Sequence, residues 1–135
     1  MHTNVSHLLF GVSPANLPFY KELMGFLGWS ALYEDENMLG VGNGGETSIW
    51  FGAPLKDAAN DYDGPGLNHL GIGTETQADV DTTVAFLAEH NIAALFETPR
   101  HRPEFSGPDS TYYQVMFETP DRILIEVVYI GPRAN

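Results

Sequence analysis

Cysteine is absent from the 135-residue chain. That excludes disulfides, thiolate zinc sites and cysteine nucleophiles. Cations are scarce: 6 Lys and Arg stand against 18 Asp and Glu, a net charge of −12. A surface of that sign repels phosphate backbones, so neither nucleic acid nor an anionic membrane is expected as a partner. No apolar run approaches the roughly 18 residues of a membrane helix. Met1 to Tyr20 lacks the basic start and apolar stretch of a signal peptide, and the compartment expected is the cytoplasm. Apolar residues are not lacking. They make up 43% of the chain, which builds a core and excludes disorder. The length suits one domain.

That domain reads as one plan used twice. Val5 to Val12 is a short apolar run with a strand's composition, followed by Asn16 as an N-cap and Pro18 in the first turn of a helix. Leu17, Tyr20, Met24 and Leu27 recur at helical spacing, and Gly28 is a good stop. Strands are expected over Trp29 to Glu34, Met38 to Gly42 and Thr47 to Gly52, with turns at 35–37 and 43–45. The second half repeats the order: a strand over Asn68 to Thr74, a helix over Ala78 to His90, and strands over Ile92 to Thr98, Thr111 to Glu118 and Ile123 to Ile130. His7 and His69 occupy matching places in the two leading strands. The organisation is therefore a single domain over 1–135, with module one about 5–54, a linker over 55–66 and module two about 67–130.

Side chains alternate between faces along a strand. Leu8 and Phe10, Ile49 and Phe51, Leu70 and Ile72, and Ile125 and Val127 give each strand one apolar face to lie under a helix. His7, His69, Trp50 and Glu126 fall on the other face, among glycines that leave space. Ionisable groups, apolar groups and glycines together suggest a lined cavity rather than a solvated surface.

The doubled βαβββ plan resembles the vicinal oxygen chelate superfamily of glyoxalases, extradiol dioxygenases and bleomycin- and fosfomycin-resistance proteins. The likeness is carried by VSHLLFGV, NLPFYKELMGFLGW, NHLGIGT, ADVDTTVAFLAEHNI and YYQVMFETPDRILIEVVY. It implies an α+β fold in which two βαβββ modules form a curled mixed sheet around a metal site, within one chain or across a homodimer. By position it implies His7, His69 and Glu126 as ligands. Trp50 falls where many members hold a fourth ligand, and an indole cannot ligate a metal. Arg122 departs from the Pro-Asp-Gly turn of the family. Arginine does not reach φ > 0 cheaply, so that turn is either strained or differently shaped.

Two imidazoles and one carboxylate suit a divalent metal with open positions; they match the arrangement associated with iron(II), and manganese, zinc, nickel and cobalt also fit. A small oxygen-rich substrate could then chelate through two neighbouring oxygens. Glu126, inside the apolar run ILIEVVYI, is the most informative member, because an unpaired carboxylate there is costly to bury. No residue is assigned as the catalytic acid, base or nucleophile. Substrate contacts are expected from Tyr112, Gln114 and Met116, which share parity on one strand, and from Trp50 by stacking. Arg100, His101 and Arg102 form a basic cluster on a loop over 99–110. It is either a lid whose His101 and Arg102 meet substrate, or a solvated loop of an acidic protein. Two functions compete: a metal-dependent enzyme of glyoxalase or dioxygenase type, and a metal-free small-molecule binding or sequestering protein of bleomycin-resistance type.

Overall fold

Phe10 in one short segment and Ile49 and Phe51 in another sit at alternate positions, and all three are buried. A computed structural model describes residues 1–134 of the chain, which divides into a unit from Met1 to Ala58 and a second from Ala59 onward. The first unit runs β1 (His7–Gly11), α1 (Leu17–Phe26), β2 (Ser30–Glu34), β3 (Met38–Gly42) and β4 (Ser48–Gly52). Its sheet has the order β1-β4-β3-β2. β1 lies parallel to β4 and the remaining pairs are antiparallel. Tyr20, Leu23 and Met24, three and four residues apart, put one face of α1 into the core. The Tyr20 ring stacks on Phe51 at 4.4 Å, and Phe51 on Phe10 at 5.7 Å. Asn16 stands at the N-cap without a side-chain cap bond, because a 3-10 turn over Pro14–Asn16 leads into the helix. Gly28 ends it at φ +88°, a conformation glycine adopts at little cost.

The second unit repeats this order with β5 (Leu70–Thr74), α2 (Gln77–Glu89), β6 (Leu95–His101), β7 (Ser110–Glu118) and β8 (Leu124–Pro132). Its sheet runs β5-β8-β7-β6, with β5 parallel to β8. The fold is thus α+β, a pair of four-stranded mixed sheets with one helix each, as the sequence suggests. α2 begins with a capping box: Asp79 N–H donates to Thr76 Oγ1 at 3.2 Å, and Thr76 N–H to Asp79 Oδ2 at 2.9 Å. Val80 and Leu87 of this helix are fully buried, as are Val115, Phe117, Ile125 and Val127 of the sheet. Among the described residues no helix is long and apolar enough to cross a membrane.

Three features extend or settle the sequence expectation. First, β6 was expected to end at Thr98 with a loop from 99, yet the strand continues through Arg100 and His101. It does so across a bulge: pairing holds at Leu95↔Met116 and resumes at Arg100↔Gln114. Phe96 and Glu97 take φ +56° and +59°. The Thr98 hydroxyl donates to Leu95 C=O at 2.7 Å and accepts from Met116 N–H at 2.9 Å, replacing the interrupted ladder. Second, of the two alternatives expected for the turn at Arg122 the strained one is found, with the residue at φ +57°. Its carbonyl accepts from Asn60 Nδ2 at 2.9 Å, and its guanidinium lies 5.5 Å over the Tyr62 ring. Third, the polar segment 55–66 contains a core residue. Tyr62 is buried and clusters with Met116, Leu124 and Leu95.

Candidate functional site

The second unit has a cleft of about 360 Å³ on the sheet face turned away from α2. Strand register explains its contents. β7 pairs with β8 so that Met116 faces Glu126 and Gln114 faces Val128. Tyr112, Gln114 and Met116 therefore share one face and line the cleft, while Val115 and Phe117 go to the core. β5 pairs with β8 so that Gly71 faces Glu126. A Cβ at Gly71 would lie 3.6 Å from Glu126 Oε2, and the missing side chain opens the space over the carboxylate. His69, two residues earlier and just ahead of β5, reaches the same carboxylate.

Glu126 is only 3% exposed and has two partners. Its Oε2 lies 3.0 Å from His69 Nε2. Its Oε1 accepts from the Tyr112 hydroxyl at 2.6 Å. Burial, the bond to Glu126 and the charge of Glu126 push the Tyr112 hydroxyl up to about 12, so it stays a donor at neutral pH. The other ring nitrogen of His69, Nδ1, lies 2.7 Å from Asn68 Oδ1, and Asn68 Nδ2 donates to Tyr62 C=O at 2.9 Å. Tyr62 in turn donates from its hydroxyl to Glu118.

The rest of the wall is aromatic and cationic. Phe96, thrown outward by the bulge, and Phe105, on a 3-10 turn over Pro103–Phe105, both line the cleft. Phe105 meets Tyr112 edge to face at 5.4 Å, and the Arg102 guanidinium lies 4.9 Å over Phe105. Arg102 also pairs with Glu104. Neighbouring strand residues point to opposite faces, so His101 goes to the side of the core. There its ring lies tilted against Tyr113 at 4.7 Å and bonds Thr111 through Nδ1. Of the proposed substrate contacts in this unit, Tyr112, Gln114, Met116 and Arg102 meet at the cleft and His101 does not. Tyr62, Asn68, Phe96 and Phe105 join it without having been singled out from the sequence.

His7 and Trp50 belong to the first unit, where they line an open hollow of about 430 Å³ with Leu9, Met38 and Ser48. β1 pairs with β4 so that Leu9 faces Trp50. Trp50 therefore holds the place in its sheet that Glu126 holds in the second. The indole N–H donates to Ser48 Oγ at 2.9 Å, and the ring fills the space over Gly40. His7 Nδ1 is 3.2 Å from Ser6 Oγ.

The donor chemistry of the second unit fits a divalent metal in part. Two ligand atoms about 2.1 Å from one ion and at right angles stand about 3 Å apart, the separation of His69 Nε2 and Glu126 Oε2. Among the described residues no group of three His, Asp or Glu side chains gathers as a ready cage, so this unit offers two donors.

No family model and no curated protein matches the chain. Solved structures do. A Bacillus halodurans protein provisionally named a glyoxalase is similar at TM-score 0.78 and 24% identity, covering 93% of this chain and 94% of that one. The chain has the glyoxalase/bleomycin-resistance/dioxygenase fold. A glyoxalase/dioxygenase from Nostoc punctiforme shares that fold at TM-score 0.74 and 18% identity, over 96% of this chain and 92% of that one. So does TnmS3, an antibiotic-binding protein from Streptomyces sp. CB03234, at 0.64 and 22%, over 96% and 98%. The glyoxalase/bleomycin-resistance/dioxygenase fold thus houses proteins named for catalysis and for binding alike, and function must be argued from the side chains.

Proposed function

We propose that the chain is a metal-dependent enzyme of glyoxalase or dioxygenase type, acting on a small oxygen-rich molecule in the cleft of the second unit. The observation that carries this reading is a buried carboxylate, Glu126, with an imidazole nitrogen 3.0 Å away. A carboxylate removed from water is costly unless a cation faces it. His69 and Glu126 would hold a divalent ion, with iron, manganese, zinc, nickel and cobalt all compatible with such donors. The resemblance implies His7 as a third ligand, and it would come from this chain or from a second copy in a homodimer. The ion would act as a Lewis acid toward substrate oxygens.

The chain's own groups do the remainder. Tyr112 holds one oxygen of Glu126 and so orients the other. Met116, Phe96 and Phe105 form apolar walls, and Gln114 and Arg102 offer donors to substrate oxygens. Metal analysis of protein dialysed against zinc or manganese tests the reading. About one equivalent per chain is expected, lost in His69→Ala and in His7→Ala. Wild-type protein that takes up no metal would remove it. Light scattering tests the homodimer: a monomer mass at micromolar concentration would contradict it.

A second reading is metal-free binding or sequestration of a small molecule. The half-buried Trp50 with Leu9 and Met38 supports it, as does the antibiotic-binding protein of the same fold. Ligand binding that persists in metal-free His69→Ala protein would select this reading.

A further inference from the structure

We propose that Asn68 is a positioning residue that fixes which nitrogen of His69 carries the proton. One chain of hydrogen bonds, from Tyr62 through Asn68 to His69, sets the proton's place. The Asn68 amide is oriented by Tyr62, whose backbone carbonyl can only accept, so the group 2.9 Å from it is the NH₂. The amide oxygen then faces His69 Nδ1 at 2.7 Å. An amide oxygen also can only accept, so Nδ1 carries the hydrogen. In the neutral ring the other nitrogen, Nε2, is left with a bare lone pair, and it points at Glu126 Oε2 from 3.0 Å. An unconstrained histidine favours the opposite form, with hydrogen on Nε2. That form would suit a plain hydrogen bond to Glu126 and would leave the pair satisfied without any ion. Asn68 instead leaves two electron-rich atoms facing one another, an arrangement completed by a cation between them.

The anchor is itself held. Tyr62 is buried and locked by its hydroxyl bond to Glu118 and by the Arg122 guanidinium over its ring. The orientation of the amide thus traces back to the linker and to the strained turn at Arg122, neither of which touches the cleft's carboxylate. The use of the lone pair for metal rests on the proposed function, but the placement of the hydrogen does not.

The test separates the two. Metal-free protein with ¹⁵N-labelled histidine is brought by raising the pH to the singly protonated ring, and the His69 nitrogen shifts are read by NMR. Wild type is expected to keep hydrogen on Nδ1. Asn68→Asp, which still accepts from Nδ1, is expected to do the same. Asn68→Leu, which cannot, is expected to move the hydrogen to Nε2. An unprotonated Nδ1 in wild type, or an Asn68→Leu protein that keeps its hydrogen on Nδ1, would overturn the proposal. Zinc titration of the same three proteins reads the consequence. Asn68→Leu is expected to lower affinity about 10–100-fold, the usual worth of such an outer partner, and Asn68→Asp to recover most of it. Wild type showing the Nδ1 hydrogen but no zinc binding would leave Asn68 in its role and remove the metal reading instead. Zinc affinity equal in wild type and Asn68→Leu would overturn the link between the two.

Discussion

The corresponding rows of the two sheets hold opposite chemistries. Across β1, β4 and β3 the first unit places Leu9, Trp50 and Gly40 side by side. Across β5, β8 and β7 the second places Gly71, Glu126 and Met116. Each row has one glycine, but on different strands. In the first, Gly40 gives up its side chain to admit an indole. In the second, Gly71 gives up its side chain to uncover a carboxylate. The backbone pattern fixes which positions share a face, while the identity at each position decides between an apolar hollow and an ionic cleft.

The largest effect expected tests that division directly. Glu126→Gln should lower zinc affinity by more than the roughly 10–100-fold that an outer partner contributes, while Trp50→Phe leaves it unchanged, both read by calorimetric titration. Equal losses in the two variants would break the comparison. Next in size is the cost of filling each glycine. A Cβ at Gly40 would lie 2.5–2.7 Å from ring atoms of Trp50, so Gly40→Ala should lower unfolding free energy by about 1–3 kcal/mol, as overpacking does. Gly71→Ala meets nothing closer than 3.6 Å and should stay within about 0.5 kcal/mol of wild type in the same urea titration.

A pH effect is expected from the second unit. Tyr112 and Tyr113 are each pushed up to about 12 by burial and by bonds to Glu126 and Asp81. A folded value above the unfolded one, about 10, means stability that is complete below pH 10 and lost as pH rises through the folded value. Unfolding free energy should fall between about pH 10 and 12. Tyr112→Phe should reduce that fall, and an unaltered slope in the variant would contradict the assignment. The smallest change is expected at Arg122→Gly. Relief of the positive φ is offset by glycine's entropy and the lost contact with Tyr62, so the midpoint should move by no more than about 0.5 kcal/mol.

Much of this was legible in the sequence because alternation is local. Phe10, Ile49, Phe51, Ile125 and Val127 go inward as their parity requires, and the same parity brings Tyr112, Gln114 and Met116 to one face with Glu126. The cleft's remaining members were hidden for physical reasons. The bulge that exposes Phe96 needs φ > 0 at two residues, and the sequence FETP offers no glycine to signal it. Thr98 supports the bulge through a side-chain bond to a residue 18 positions away, which no local pattern records. Reading 99–110 as a loop put His101 and Arg102 together. Once β6 runs through His101, adjacent residues part to opposite faces. Tyr62 sits in a stretch of Asp, Asn and Gly whose composition reads as linker, and its burial depends on Met116 and Leu124 far along the chain.

The proposed function requires His69 and Glu126 to share a cation. Crystals grown with cobalt chloride test it most directly, through an anomalous difference map at the cobalt edge. The expected result is a peak bonded to both His69 Nε2 and a Glu126 oxygen, with Asn68 still against Nδ1. Well-ordered crystals showing the imidazole hydrogen-bonded directly to the carboxylate, and no cobalt between them, would contradict it.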